Sequence, residues 1–482
     1  MSQIVGQRRD SRWFALVVLC AGMLMIILDG TIVNVALPVI QADLDFSQSG
    51  LAWVINAYLI PFGGLLLLAG RVGDLIGRKR MFLGGVAVFT VASLFCGLAT
   101  TQELLIAARF VQGIGGAMAA AVILGMIVTM FPEKREQARA IAVFSFVAAA
   151  GGSIGLLAGG VLTEAISWHW IFFVNLPIGL VAFALATRVV PGERGIGLRS
   201  GADVIGAVLV TAGLMLGVYT IVKAADHGWV SGHTLGFGAL SVALLAGFVV
   251  RQATVATPLL PLRILRDRNV AGANLIQVLM VAGMFGMFFL GALYLEKVLG
   301  YDPLGIGLGF LPVAVGIGSL SLGASARVNA RFGERRVLIV ALLLVATGLA
   351  LFTRAPVEAV YLLDVFPSVL LMGVGAGLGF PAMMTLAMSD ATKDDSGVAS
   401  GLVNTTQQVG GALGLAVLAT LATSQTKGLL ADGAAPVTAM TSGYRLAFAV
   451  AAGLVLVAAL FAVTVLRRPR VTSEELVPVP VG

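Results

Sequence analysis

The chain has 482 residues, 59% of them apolar and only 11% charged, with a formal net charge of +7 and a mean hydropathy of +1.00. A soluble protein carries about a quarter charged residues, so the composition excludes a water-covered globule and leaves a polytopic membrane protein. The apolar runs are continuous rather than alternating, and each is close to the roughly 20 residues that cross a bilayer as helix, which favours an all-α bundle over a barrel.

A basic stub, 1–12, precedes the first run at 13–35, which is too long for a signal peptide and lacks a small-residue cleavage site. Inside it stands LDGTIVNVALP, residues 28–38, which places the carboxylate of Asp29 within a span. A charge there costs about 2.5–3.5 kcal/mol on insertion scales and needs a partner or a proton. Runs at 51–70, 81–99, 104–128, 140–162 and 169–188 follow. The loop GRVGDLIGRKR, 70–80, joins the second and third. The fourth run contains Arg109 six residues after Glu103, its outer end; Asp29 lies nine residues before Pro38, the outer end of the first. These helices run in opposite directions, so Asp29 and Arg109 are expected at similar depth, as an ion pair or a shared polar network. The alternative is a structural Asp29 bonded to Thr31, Asn34 or a helix backbone. In the fifth run Gly151, Gly155 and Gly159 recur every fourth residue and so share one helix face, where a neighbour can approach closely. Gly160 follows directly.

Two further runs, 204–222 and 234–250, lie in a linker spanning 191–252. Six more follow at 270–295, 304–325, 337–353, 362–386, 397–422 and 444–466, then a tail, 467–482. The second set mirrors the first. ARVNARFGERR, 326–336, matches 70–80 through Arg71 and Arg327, Gly77 and Gly333, and Arg80 and Arg336, and GGALGLA, 410–416, echoes GGSIGLLAGG, 151–160. The expected organisation is therefore an N-terminal six-helix bundle (13–190), two inserted helices, and a C-terminal six-helix bundle (253–466), fourteen spans in all. A two-fold repeat with a site between its halves is the architecture of a rocking transporter.

With the N-terminus in the cytoplasm, 25 of the 31 Lys and Arg fall in the stub, the tail and the connections after even-numbered spans. This asymmetry predicts both termini in the cytoplasm and explains the basic balance without nucleic acid. All five tryptophans (Trp13, Trp53, Trp168, Trp170, Trp229) fall at span ends, as interfacial anchors do. Cys20, Cys96 and the three histidines form no metal or disulfide pattern, and no catalytic cluster points to an enzyme. No Gly-rich phosphate loop appears, so any work must draw on an ion gradient or a partner. Asn56, Tyr58, Gln112, Gln277, Met280, Met284 and Phe288 are candidates to line a substrate cavity, or ordinary interhelical packing.

Taken together, these motifs resemble the major facilitator superfamily, and within it the fourteen-span drug:proton antiporters, over nearly the whole chain. Gly70, Asp74, Gly77, Arg78 and Lys79, with Arg71 and Gly73 between them, fit the superfamily loop. Arg109, Gln112, Gly113 and Gly115 fit the fourth-helix motif, LDGTIVNVALP the first-helix motif, and WHWIFFVNLPIG, 168–179, the sixth-helix entry, with His169 where Arg is usual. The resemblance implies that the 70–80 loop is a conformational latch, with Asp74 favouring the start of span thirteen near Ser396. It implies that the fifth helix packs against the second half and bears on switching, although Leu156 stands where proline is usual. It implies that the fourth-helix arginine couples to protons, with Asp29 as carrier. The expectation is a proton-coupled exporter of small amphipathic compounds in a bacterial inner membrane, acting as a monomer, with protons as coupling ion and no bound cofactor. A metabolite or nutrient permease of the same fold is the alternative.

Overall fold

The structure is a computed structural model that describes residues 2–193, 195–197, 201–388 and 396–466; the tail, 467–482, lies outside them. The described chain is helical throughout. The first repeat comprises α1 (Ser2–Asp43), α2 (Gln48–Ile76), α3 (Arg78–Gly97), α4 (Gln102–Met130), α5 (Lys134–Ala165), α6 (Trp170–Phe173) and α7 (Asn175–Val189). An inserted hairpin follows, α8 (Val204–His227) and α9 (Gly232–Thr254). The second repeat comprises α10 (Arg268–Lys297), α11 (Pro303–Ser319), α12 (Ser325–Phe332), α13 (Glu334–Phe352), α14 (Phe366–Met388), α15 (Ser396–Ala431) and α16 (Pro436–Thr464). Among the described residues twelve helices are long and apolar enough to cross a membrane, and Ile154–Ala165 and Pro303–Ser319 are shorter apolar helices.

Short polar residues set the helix starts. The side chains of Ser47, Thr101, Asp203, Ser231, Asp267 and Asp302 each accept a backbone N–H from the first turn that follows, which satisfies donors that a helix start leaves orphaned. The two matched basic loops also turn alike. Gly77 and Gly333 end α2 and α12 with φ of 103° and 82°, and the next helix begins one residue later. Only glycine takes such a φ without strain. Two spans depart from straight α-helix. Leu320–Ala324 and Tyr361–Val365 are single π-helical turns, the first joining α11 to α12 and the second opening α14.

The repeat extends to packing. α3 lies on α4 as α13 lies on α14, α2 on α4 as α11 on α14, and α1 on α5 as α10 on α15. Two seams join the repeats, α2 with α15 and α5 with α11, and these are again equivalent pairs. Helix α8 lies over the first seam and touches both α2 and α15, while α9 packs on α8. A Cβ on Gly64 of α2 would lie 3.3 Å from the Thr211 Cα of α8. Farther along, Thr420 of α15 donates to the Ile221 carbonyl at 3.2 Å, and Lys427 of α15 pairs with Asp226 at 2.9 Å. At the other end of the hairpin Asp203, its carboxylate fully buried, takes Arg251 at 2.5 Å and Gln252 at 2.8 Å. Gln252 in turn accepts the backbone N–H of Leu260.

Candidate functional site

Asp29 and Arg109 are both 0% exposed, and the depth argument brings them into direct contact. Arg109 Nη1 donates to Asp29 Oδ2 at 2.5 Å and to Gln112 Oε1 at 2.7 Å, and Nε donates to the Val54 carbonyl of α2 at 2.9 Å. The guanidinium lies 4.4 Å from the centroid of Tyr58 and 5.6 Å from that of Phe172, faces that attract a desolvated cation. The carboxylate's other oxygen, Oδ1, accepts Gln112 Nε2 at 2.8 Å and Asn175 Nδ2 at 2.9 Å. Gln112 is used at both ends. Its nitrogen also donates to Ser93 Oγ at 2.8 Å, and its oxygen also takes the Cys96 thiol at 3.6 Å.

The helices around this cluster approach closely because α4 carries glycine where they meet. A Cβ on Gly116 would lie 2.8 Å from the Phe62 ring of α2, and one on Gly115 2.5 Å from the Phe89 nitrogen of α3. The residues of the structural alternative are engaged elsewhere. Thr31 donates to Ile27 and Leu28, and Asn34 to Gly30 and Thr31, all carbonyls of their own helix. A buried pair of this kind is weak evidence for stability, because desolvation offsets its attraction. Its chemical capacity is clearer: a carboxylate shielded from water, with three directed donors, changes its whole network if it takes a proton.

The 70–80 loop forms a second cluster at the end of the molecule where the basic loops gather. Arg78 pairs with Asp74 at 3.0 Å and donates to the Gly125 carbonyl and Thr129 Oγ1 of α4. Lys79 donates to the Thr187 carbonyl of α7 at 2.8 Å, and Arg71 to the Gly201 carbonyl at 3.2 Å. The linker straps across the loop, with Ile196 N and Gly197 N donating to the Asp74 and Leu75 carbonyls. A Cβ on Gly77 would meet the Glu193 carbonyl at 2.6 Å, one on Gly73 would collide with Val122, and one on Gly70 would make ordinary contact with Ala121. The Asp74 carboxylate pairs with Arg78; the Ser396 side chain, its expected neighbour, lies outside the described side chains. α2 does run along α15 toward that end, where a Cβ on Gly401 would meet Leu67.

The glycines of α5 divide between two neighbours. Gly151, Gly155 and Gly159 face α1, meeting Leu24 and Ile27, Thr31, and Ile32 respectively. Gly160, one residue round, faces α11, where a Cβ would lie 2.9 Å from the Leu304 Cα, and the Leu156 carbonyl sits against Gly307. The every-fourth stripe is thus internal to the first bundle, and contact with the second half is made by Leu156 and Gly160. With leucine at 156, α5 continues unbroken to Ala165.

The proposed cavity residues separate. Tyr58 and Gln112 belong to the Asp29 cluster. Gln277, 2% exposed, donates to the Val403 carbonyl, buried Met280 lies beside Gly379 of α14, Met284 is buried, and half-buried Phe288 meets Phe310 edge-to-face at 5.4 Å. Asn56 is fully buried with both side-chain polar atoms unpartnered. Two contributions escaped the sequence reading. One is Asn175 with Ser93. The other is the polar run Asn404–Gln408 in α15, where Thr405 donates to the Gly63 carbonyl across the seam and Thr406 to Asn274 Oδ1. Five polar residues in series inside an apolar span were the available signal for the second.

Comparison with known proteins follows this geometry. The family model described as Major Facilitator Superfamily matches residues 19–415. A puromycin resistance protein of Streptomyces alboniger is 40% identical, over 94% of this chain and 90% of its own. A cephamycin export protein of Amycolatopsis lactamdurans is 38% identical, over 87% and 86%. The crystal structure of a peptide transporter in complex with sulfate shares the fold at a TM-score of 0.67 and 13% identity, over 93% of each chain. The doubled helical repeat, the matching form of its two basic loops and these matches lead to one conclusion: the chain belongs to the Major Facilitator Superfamily.

Proposed function

We propose that the protein exports small amphipathic antibiotics or similar toxic compounds in exchange for protons. The observation that carries this reading is the water-shielded Asp29–Arg109 pair between spans one and four. Relatives named for puromycin resistance and cephamycin export support the cargo class. On this reading the chain crosses the membrane fourteen times with both termini in the cytoplasm and works as a monomer. The two six-helix bundles rock about a cleft between the seams, and the 70–80 loop latches one of the two states. Asp29 takes a proton from the outer side and releases it inside. One proton moving down 100 mV releases about 2.3 kcal/mol, and one pH unit adds about 1.4 kcal/mol. That supports a gradient of roughly two to three orders of magnitude for one-for-one exchange with a neutral solute.

The test uses everted membrane vesicles energised by respiration. Addition of puromycin, or of an amphipathic dye, releases protons from vesicles holding the wild-type protein, and an uncoupler abolishes drug accumulation. Full coupled transport by Asp29→Asn would overturn the proton role. Uphill uptake of a nutrient by intact energised cells would favour the permease reading instead.

A further inference from the structure

Among the partners of Asp29 one amide is half used. Asn175 is 0% exposed, its nitrogen donates to Asp29 Oδ1, and its own Oδ1 has no partner among the described residues. A buried acceptor left unpaired is costly, and such groups in a folded protein call for an explanation. Gln112, the other amide on the same carboxylate oxygen, is engaged at both ends by Asp29, Ser93, Arg109 and Cys96. Reversing it would set oxygen against the Asp29 carboxylate and N–H against the Arg109 guanidinium. Reversing Asn175 breaks one hydrogen bond. Asn34 also has an unpaired Oδ1, but its nitrogen is held by the Gly30 and Thr31 carbonyls of its own helix.

A carboxylate only accepts hydrogen bonds, whereas a carboxylic acid must also donate one. We propose that Asn175 reads the protonation of Asp29 by reversing its side-chain amide. With Asp29 ionised, Nδ2 donates to Oδ1, as in this structure. When a proton from the aqueous phase binds Oδ1, the amide turns by about half a revolution, and Asn175 Oδ1 accepts the new O–H. No covalent bond other than O–H forms, and deprotonation returns both groups. The remaining titratable or charged groups facing the cluster are Arg109, Tyr58 and Cys96, and the Asn175 side chain bonds instead to Asp29.

The placement suits a relay. Asn175 opens α7 directly after the break from α6, two residues before Pro177. The preceding turn carries Phe172 on the Arg109 guanidinium, and Trp168 is tied to Asp43 at the end of α1. A changed bond at Asn175 therefore acts on span six at its natural joint. Asn175 is a positioning residue, and this role rests on Asp29 being the proton carrier.

The experiment is an acid-minus-alkaline infrared difference spectrum of the full-length protein in lipid, with asparagine carrying 13C in its side-chain carbonyl. The expected wild-type spectrum shows an Asp29 carboxylic C=O band, absent in Asp29→Asn, and an asparagine amide pair, absent in Asn175→Leu. In Asn175→Leu the acid band moves to the position of a weaker hydrogen bond. Asn175→Thr, whose hydroxyl can donate or accept, restores its position. If no acid band depends on Asp29, the proton-carrier reading fails. If that band is present but unmoved in folded Asn175→Leu, or no amide pair depends on Asn175, the switch is overturned and the carrier reading survives.

Discussion

The buried pair makes a quantitative prediction through a double-mutant cycle of Asp29→Asn and Arg109→Met. Both residues are 0% exposed, so neither single variant can hand its orphaned partner to water. Asp29→Asn leaves a guanidinium whose Val54 and Gln112 bonds persist but whose counter-charge is gone. Arg109→Met leaves a carboxylate held only by Gln112 and Asn175. Removing one partner of a buried ion pair costs about 3–5 kcal/mol, whereas replacing both by neutral groups is far less costly. Each single variant is therefore expected to lose about 3–5 kcal/mol, and the double variant no more than either, giving a coupling of at least about 3 kcal/mol. The assay is denaturant unfolding of the purified protein in mixed micelles, followed by tryptophan fluorescence. Additive losses, with the double variant destabilised by the sum of the two, would refute the contact as an energetic unit. Export should fail in all three variants, since restored stability does not restore a proton site.

Three further outcomes are expected. Gly155→Val, which forces side-chain atoms onto Thr31 of α1, should destabilise the fold by about 1–3 kcal/mol, whereas Gly152→Ala, which meets nothing within 4 Å, should cost nothing in the same unfolding assay and gain up to about 1 kcal/mol from helix propensity. Gly77→Ala adds a side chain at φ 103° and 2.6 Å from the Glu193 carbonyl, a cost of about 1–3 kcal/mol; cysteine cross-linking across the α2–α15 seam should report a changed balance of states, and an unchanged pattern would remove the loop from the latch. Burial alone would push the Asp203 carboxyl up, but the Gly206 N–H, Arg251 and Gln252 together hold it below the usual carboxylate range. A lowered folded value stabilises above the unfolded one of about 3.9 and is lost as pH falls through the folded value, so the amide-exchange protection factors at 204–207, corrected for the intrinsic rate at each pH, should stay flat from pH 7 to about 4 and fall only below that.

Much of this was legible in the sequence because a bilayer constrains it severely. Apolar runs gave the helices, and the depth argument alone placed Asp29 beside Arg109, since in hydrocarbon a charge must find its opposite. The internal match of 70–80 with 326–336 anticipated the paired turns at Gly77 and Gly333. What stayed hidden depended on rotation about helix axes. A four-residue glycine period says that one face is bare but not which neighbour fills it, so Gly155 met α1 while Gly160 met α11. Asn175 was invisible for a similar reason: in an apolar span one asparagine has no fixed partner until span six is set against α1. Gln112 read equally well as a cavity group because a glutamine satisfied at four points looks, in one dimension, like a free one.

The inserted hairpin has a mechanical corollary. Because α8 rests on α2 and α15 together, any rotation of one half against the other must slide two helices beneath a shared third. A bearing surface of that kind calls for small, smooth contacts along its length, and Gly64 against Thr211 supplies one. The directional fastenings to α15, at Thr420 and Lys427, lie toward the far end of α8, whereas the chain entering it is tied to α2 through Arg71 and Gly201, so the hairpin is fastened to one half at each end and spans the joint like a diagonal brace.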